Sequence, residues 1–374
     1  MLKGVSLTLY SGVVTTSPVS REVIDALTSV EVTSATEGAS GFQLSFTLSN
    51  RSPLHSDFLI QAGTNPLLRI IIVANINSTQ EVMMDGVITN HQVSAGSQPG
   101  ESILTMTGED LSKVMDLIDW SGLPFPAMPA NARVAAIVAK YSMFGIVPAI
   151  VPSLYLDVVL PTSIIPAQEG TDLKYVQLLA KKTGYVFYID PGPKRGMSKA
   201  YWGPPITWGK EQPALNYDMD AHRNVESLNM SFDTANASMP VVYVQNKLTK
   251  FPIPVPIPKI NPLRKPMGSV PPSITKFTAM RDTAKLPFVN ALLLGIAEAA
   301  QSADAVSGSG SLDVARYGRI LKARALVGVR GAGSAFDGLY FVKRVTSTLK
   351  RGEFKQSFEL SRNALVSINK TVAV

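Results

Sequence analysis

Cysteine is absent from the 374 residues. Disulfides, thiolate nucleophiles, thiolate zinc sites and iron–sulfur clusters are thereby excluded. Histidine occurs three times, at His55, His91 and His222, and never within H-E-x-x-H. No G-x-S-x-G elbow, Walker A sequence or G-x-G-x-x-G occurs either. Gly328-Val329-Arg330-Gly331-Ala332-Gly333 has its glycines in the wrong order and reads as a loop needing free φ. Charged residues make up 17%, below the ~25% usual for a soluble domain. So few charges suggest a surface largely covered by other protein chains. The longest uncharged apolar stretch, Tyr141 to Leu156, is broken by Pro148 and Pro152 and is too short for a transmembrane helix. Met1-Leu2-Lys3-Gly4 does not open a signal peptide.

What is present begins with a 45% apolar content, which excludes wholesale disorder. The length predicts two or three domains at ~100–200 residues each. The net charge of +7 is unevenly spread. Residues 310–374 hold 12 Lys+Arg against 4 Asp+Glu, and the remainder is close to neutral. A basic end of this kind suits nucleic acid, a membrane surface or an acidic protein. Its charges lie among strand-like residues such as Phe341-Val342-Lys343-Arg344-Val345, without base-stacking aromatics, so a solvated or protein-facing basic face is the simpler reading.

Residues 1–108 read mostly as strands. Phe42, Leu44, Phe46 and Leu48 alternate with polar residues, the period of a half-buried strand, and Leu68 to Val73 reads as a buried one. Asp85-Gly86 suits a tight turn. From Glu109 the texture changes. Leu111, Val114, Met115 and Ile118 share one helical face, and Asn131 to Tyr141 is a second helix candidate. Thr171 to Lys182 has an N-cap in Thr171, an apolar stripe and a stop at Gly184. Tyr185 to Ile189 follows as a strand and turns at Asp190-Pro191-Gly192. Strands return at Val225 to Phe232 and Val241 to Gln245. Alternate prolines over 251–258 then favour an extended surface arm or linker, not a central strand. Residues 286–304 contain an Ala/Leu-rich helix, and Ser307 to Ser311 suggests a flexible joint. Residues 312–369 again read mainly as strands.

An internal repeat stands out. Asp85-Gly86, Val93 and Gly100-Glu101 recur 252 residues later as Asp337-Gly338, Val345 and Gly352-Glu353. The strand-like stretches Ser102 to Met106 and Phe354 to Leu360 follow. The pattern implies one strand–loop–strand element in each of two β domains, although the strands before each Asp-Gly do not align.

Candidate chemistry is sparse. Asp218, Asp220 and His222 would share one face of an extended segment and could approach a metal, but a polar loop is the simpler reading. Glu109 and Asp110 suit an acidic first helical turn better than a catalytic pair. Trp202 and Trp208, around Gly203-Pro204-Pro205, suit a packed inter-domain turn better than a sugar or base platform. No catalytic, cofactor-binding or metal residue is assigned.

Four motifs in order carry a resemblance. They are Gly108-Glu109-Asp110-Leu111-Ser112; Thr171 to Ala180 followed by Gly184-Tyr185-Val186-Phe187-Tyr188; Tyr201-Trp202-Gly203-Pro204; and Phe336 to Val342 through Arg351-Gly352-Glu353-Phe354 to Ser361-Arg362-Asn363. Together they resemble the baseplate hubs of contractile phage tails, the late control protein D family, and the hubs of extracellular contractile injection systems. The resemblance implies an α+β, mainly β fold: two tail-tube-like β-barrel domains with an intervening small α/β domain. It places the first tube-like domain at 1–108, the α/β domain at 109–210, the second tube-like domain at 211–247 joined to 311–374, and a Pro-rich and helical insertion at 248–310. It implies a non-catalytic, cofactor-free homotrimer that joins a six-fold tail tube to a three-fold spike around a lumen for DNA or protein cargo. The implied partners are the tail tube protein, other baseplate proteins and, since the chain stops at Val374, a spike on a separate polypeptide. The implied location is a virion tail or injection-particle baseplate assembled in the bacterial cytoplasm. The segment 251–272 matches no family motif and reads as an arm gripping a neighbouring subunit. The alternatives are a tail-associated carbohydrate-binding or peptidoglycan-degrading protein, which needs a placed carboxylate pair, and a nucleic-acid-binding β protein driven by the basic end.

Overall fold

A computed structural model describes residues 5–369, except 50–51, 66, 77–78, 97–101, 154–164, 220–221, 235–237, 246–248, 250, 259–265, 282, 287 and 302–303. The first β unit holds β1 (Val5–Gly12), β2 (Thr16–Pro18), α1 (Arg21–Ala26), β3 (Leu27–Ala35), β4 (Gly41–Leu48), α2 (Gln61–Thr64), β5 (Arg69–Ile76), β6 (Thr79–Ser94) and β7 (Ser102–Asp110). The expected alternation in β4 is seen directly: Phe42, Leu44, Phe46 and Leu48 are buried. Asp85-Gly86 is not a turn, however, because β6 runs straight through it. A Cβ on Gly86 would lie 2.2 Å from the Glu109 carbonyl oxygen, so the glycine is needed for the close approach of β7.

A 3₁₀ helix (Leu111–Asp116), α3 (Ala130–Ala139), β8 (Ile146–Ile150), α4 (Asp172–Thr183), β9 (Val186–Pro191) and β10 (Ser198–Gly203) follow. β8, β10 and β9 form a small mixed sheet in that order. The expected face Leu111, Val114 and Met115 is buried, but the turn tightens to 3₁₀ and ends before Ile118, which is exposed. α4 matches its sequence signals closely. Thr171 Oγ accepts from Lys174 N–H, and Gly184 closes the helix at φ +71°. Val134, Val176 and Trp202 share the core of this unit.

The second β unit begins with β11 (Gln212–Asn216) and β12 (Val225–Phe232). Next come β13 (Ser238–Gln245), β14 (Pro252–Pro256), β15 (Gly268–Val270), β16 (Lys276–Ala279) and α5 (Phe288–Gln301). The chain returns through β17 (Val306–Asp313), α6 (Val314–Tyr317), β18 (Leu326–Arg330), β19 (Gly338–Lys350), β20 (Glu353–Arg362) and β21 (Leu365–Ser367). β13 pairs with β14 and β16 in a separate sheet backed by α5, so Val241 to Gln245 lies outside the largest sheet. Ser307 to Ser311 is likewise no flexible joint, because it lies in β17 between β12 and β20. Its glycines are dictated by crowding: a Cβ on Gly308 would meet Met230 Sδ at 2.8 Å, and one on Gly310 would meet the Phe358 ring at 2.7 Å. The proline segment is an edge strand, as its missing donors require.

The strands of the two β units follow one plan. The first is ordered β3-β4-β7-β6-β5-β1 and the second β12-β17-β20-β19-β18-β11. The agreement extends to irregularities. Both last hairpins carry a one-residue bulge, at Thr89 and at Lys343. Both opening pairs carry another, at Thr28 and at Glu226. Ile88 N–H donates to the Leu68 carbonyl at 3.0 Å, and Val342 N–H to the Ala325 carbonyl at 2.9 Å, in the same place in each unit. The spacing of 252 residues holds for β7 and β20, where Met106 and Phe358 occupy the same position. It is 254 for β6 and β19, where His91 matches Val345. The Asp-Gly pairs are therefore not equivalent. One strand differs outright: β1 runs antiparallel to β5, whereas β11 runs parallel to β18. β3 pairs with β19, so the two units share one continuous sheet and a single core. The molecule is a mainly-β α+β protein.

Candidate docking surfaces

The basic carboxy-terminal region is largely spent on contacts within the chain. Lys322 reaches Glu81 at 2.7 Å, Lys343 reaches Asp304 at 2.9 Å, and Lys355 reaches Glu226 at 3.1 Å. Arg351 donates to the Asp25 carbonyl at 2.6 Å. Arg362, wholly buried, wraps the carbonyls of Ala335, Asp337 and Ala364 and stacks over Tyr340. Burial raises the Tyr340 phenol pKa above its ordinary value.

Arg324 binds all three units together. Its guanidinium donates to the Ala35 carbonyl at 2.7 Å, to Ser40 Oγ at 2.9 Å and to Asp190 Oδ1 at 2.7 Å, and lies 4.1 Å from the Tyr188 ring centre. Its backbone is held at φ +64°, a strained value for a long side chain. A second junction is the buried pair Arg69–Asp85, which makes two 2.6 Å hydrogen bonds and accepts a third from Ser198 Oγ of β10 at 3.2 Å. Neither junction has a local sequence signature, because the partners are far apart in the chain.

The sequence candidates for chemistry scatter. Asp110 caps the 3₁₀ helix by accepting from Ser112 N–H at 2.9 Å, and burial raises its carboxyl above the usual range. Glu109 faces Lys113 at 3.5 Å. Trp202 is wholly buried and packs T-shaped against Tyr185, whereas Trp208 is exposed, so they form no joint platform. His55 contacts the Ser49 carbonyl at 3.2 Å, His91 sits in β6 and His222 closes a turn on Met219. Asp220 lies outside the described residues, and among those described no acidic or histidine cluster is arranged for a metal. Gly331 and Gly333 adopt positive φ, as that loop requires, but Gly328 lies within β18.

Sequence reasoning missed Asp172. Its buried carboxylate accepts from Tyr141 Oη at 2.7 Å, Gln168 Nε2 at 2.7 Å and Lys140 Nζ at 3.2 Å. Three donors, two of them the adjacent Lys140 and Tyr141 after α3 and the third Gln168, lock the start of α4. A cleft of about 650 Å³ between the units is lined by alternating charges, including Glu37, Lys181, Lys343 and Glu359.

The open features are strand edges. Among the described residues, β12 pairs only with β17, and β6 beyond Ile88 pairs only with β7. β14 presents Pro252, Pro254 and Pro256, opposite Gln245, Tyr243 and Val241. Ile257 N–H donates inward to Pro240, so the odd-numbered residues face β13 and the prolines leave the outer edge without donors.

No known protein-family profile matches the sequence, and no curated protein does. Solved structures share the fold. The tail protein from Neisseria meningitidis MC58 superposes with a TM-score of 0.62 at 14% identity, over 97% of this chain and 98% of that one. The 43 kDa tail protein of prophage MuSo2 from Shewanella oneidensis gives 0.56 at 15% identity, over 96% and 98%. An Escherichia coli component of the type VI secretion system, described as similar to T4 bacteriophage tail proteins gp27 and gp5, gives 0.51 at 12% identity, over 93% and 75%. The chain therefore has the fold of phage tail and type VI tail-like proteins.

Proposed function

We propose that the protein is a structural baseplate hub: a homotrimer that joins a six-fold tail tube to a three-fold spike and encloses a lumen for DNA or protein cargo. The observation that carries this reading is the strand plan used twice in one chain, down to matching bulges. Three copies of such a chain offer six similar docking units, which a single-unit chain in a trimer does not. The domains on this reading are two tube-like β units, the α/β unit between them, and an insertion between β12 and β17. The fold shared with phage tail proteins supports it. So do the low charge content and the internal use of the basic groups, which point to protein surfaces as partners. The role is non-catalytic, in a virion tail or injection-particle baseplate. Light scattering tests it: the expected mass is about 120 kDa, three times the 40.1 kDa chain. A monomer at assembly concentrations refutes it. Incubation with purified cell walls is expected to release no muropeptides; release would favour the wall-degrading alternative.

A further inference from the structure

Where the first and second units meet, the free side of β3 is covered by β19. Ala35 to Ser29 pair antiparallel with Arg344 to Lys350, immediately after the bulge at Lys343. The second unit has its own counterpart of β3, which is β12, and the first has its own counterpart of β19, which is β6. Both counterparts are uncovered among the described residues. β12 has a neighbour on one side only, and β6 loses its second neighbour after the bulge at Thr89, where β19 gains β3.

We propose that these two edges pair with each other between copies of this chain, β12 of one against residues 90–94 of the next, in the register that the chain already uses internally. This rests on the hub reading and names the strands that would close its ring. Transferring the β3–β19 register through the matched bulges sets Asn90 opposite Asp233, His91 opposite Phe232, Gln92 opposite Ser231, Val93 opposite Met230 and Ser94 opposite Asn229. The resulting faces sort by polarity. His91, Val93, Met230 and Phe232 fall on one side, as Val345, Ser347, Val32 and Ser34 do in the internal joint. Gln92, Ser94, Asn229 and Ser231 fall on the other, where Thr33 and Thr346 touch through their hydroxyls at 3.0 Å. Val93 is 51% exposed in the single chain, an apolar residue with nothing over it.

Exposed strand edges invite pairing, and proteins block them with proline or charge. This chain blocks β14 with three prolines. Residues 89–94 and 227–232 contain no proline, lysine, arginine or carboxylate, and the one carboxylate in the proposed pairing, Asp233, falls at its end opposite Asn90. They are left open, as edges meant for pairing are. Because the two edges differ and lie on different units, the contact is head-to-tail, the kind that closes a ring when the rotation permits.

The absence of cysteine makes the test direct. In the full chain, Gln92→Cys with Ser231→Cys places one thiol on each edge at exposed positions. Thr33→Cys with Thr346→Cys is the internal standard for the same geometry. Mild oxidation should join copies of the first variant into covalent dimers and trimers, at least about tenfold more than the off-register pair Gln92→Cys with Asn229→Cys, since disulfides tolerate little misplacement. If the internal standard closes and light scattering shows three copies, yet Gln92→Cys with Ser231→Cys stays uncrosslinked, the pairing is wrong and the hub reading survives. If the wild-type chain is a monomer, both fall.

Discussion

Arg69 and Asp85 sit on the neighbouring, directly paired strands β5 and β6 of the first unit, both almost wholly buried, and neutralise each other through paired hydrogen bonds. Removing one partner strands the other's charge, at a cost of about 3–5 kcal/mol. Asp85→Ala should therefore lower the urea midpoint sharply, whereas Arg69→Met with Asp85→Leu should recover most of the loss. Asp110 makes a pH prediction. Burial raises its carboxyl pKa in the folded state, so the folded chain holds that proton more tightly than the unfolded chain. Its contribution to stability is favoured in acid and declines as pH rises through the folded pKa. Asp110→Asn retains an oxygen to cap Ser112 and removes the buried charge, so it should raise the melting temperature at pH 7 more than at pH 4. An equal change at both would contradict this. Reading Asp85-Gly86 from its neighbours alone gave a turn. Its true determinants are Arg69, 16 residues away, and the β7 backbone beside Gly86, which a local pattern does not carry.

The elements that were legible are those whose signals are local. α4 has its cap, stripe and stop within fourteen residues, and it forms where those signals place it. Gly184→Ala should destabilise by about 1–2 kcal/mol from the left-handed backbone alone, and more because its Cβ would sit 3.0 Å from Ala297 Cβ of α5. Equilibrium denaturation measures the loss. Ser307 to Ser311 was misleading because serine and glycine in alternation look like a linker. In β17 the same alternation is a strand with glycine beneath Met230 and Phe358. A bulkier residue at Gly310 should cost about 1–3 kcal/mol through overpacking. The proline edge of β14 predicts a gain of association: replacing Pro252, Pro254 and Pro256 by valine restores outward donors. The variant should self-associate with rising concentration in sedimentation, where the wild-type insertion edge does not contribute.

Taken whole, the chain closes its largest sheet through β3 and β19, segments more than three hundred residues apart. No periodicity announces such a pairing, which is why the repeat was visible in the sequence but the joint was not. The core is shared across it: Leu44, Phe46 and Val30 belong to the same cluster as Phe354, Phe358 and Val345. Residues 1–110 expressed alone should thus be poorly soluble, and co-expression of the remainder should restore soluble yield; a well-folded isolated fragment would show that the units are independent. β1 and β11 occupy the same station in the two units yet run in opposite directions against their neighbours. On the proposed ring, five strands of each unit would look alike at sixty-degree steps, while this one would alternate. A hexameric ligand must ignore that strand, and a trimeric ligand has in it a reference mark for choosing among six otherwise equivalent seats.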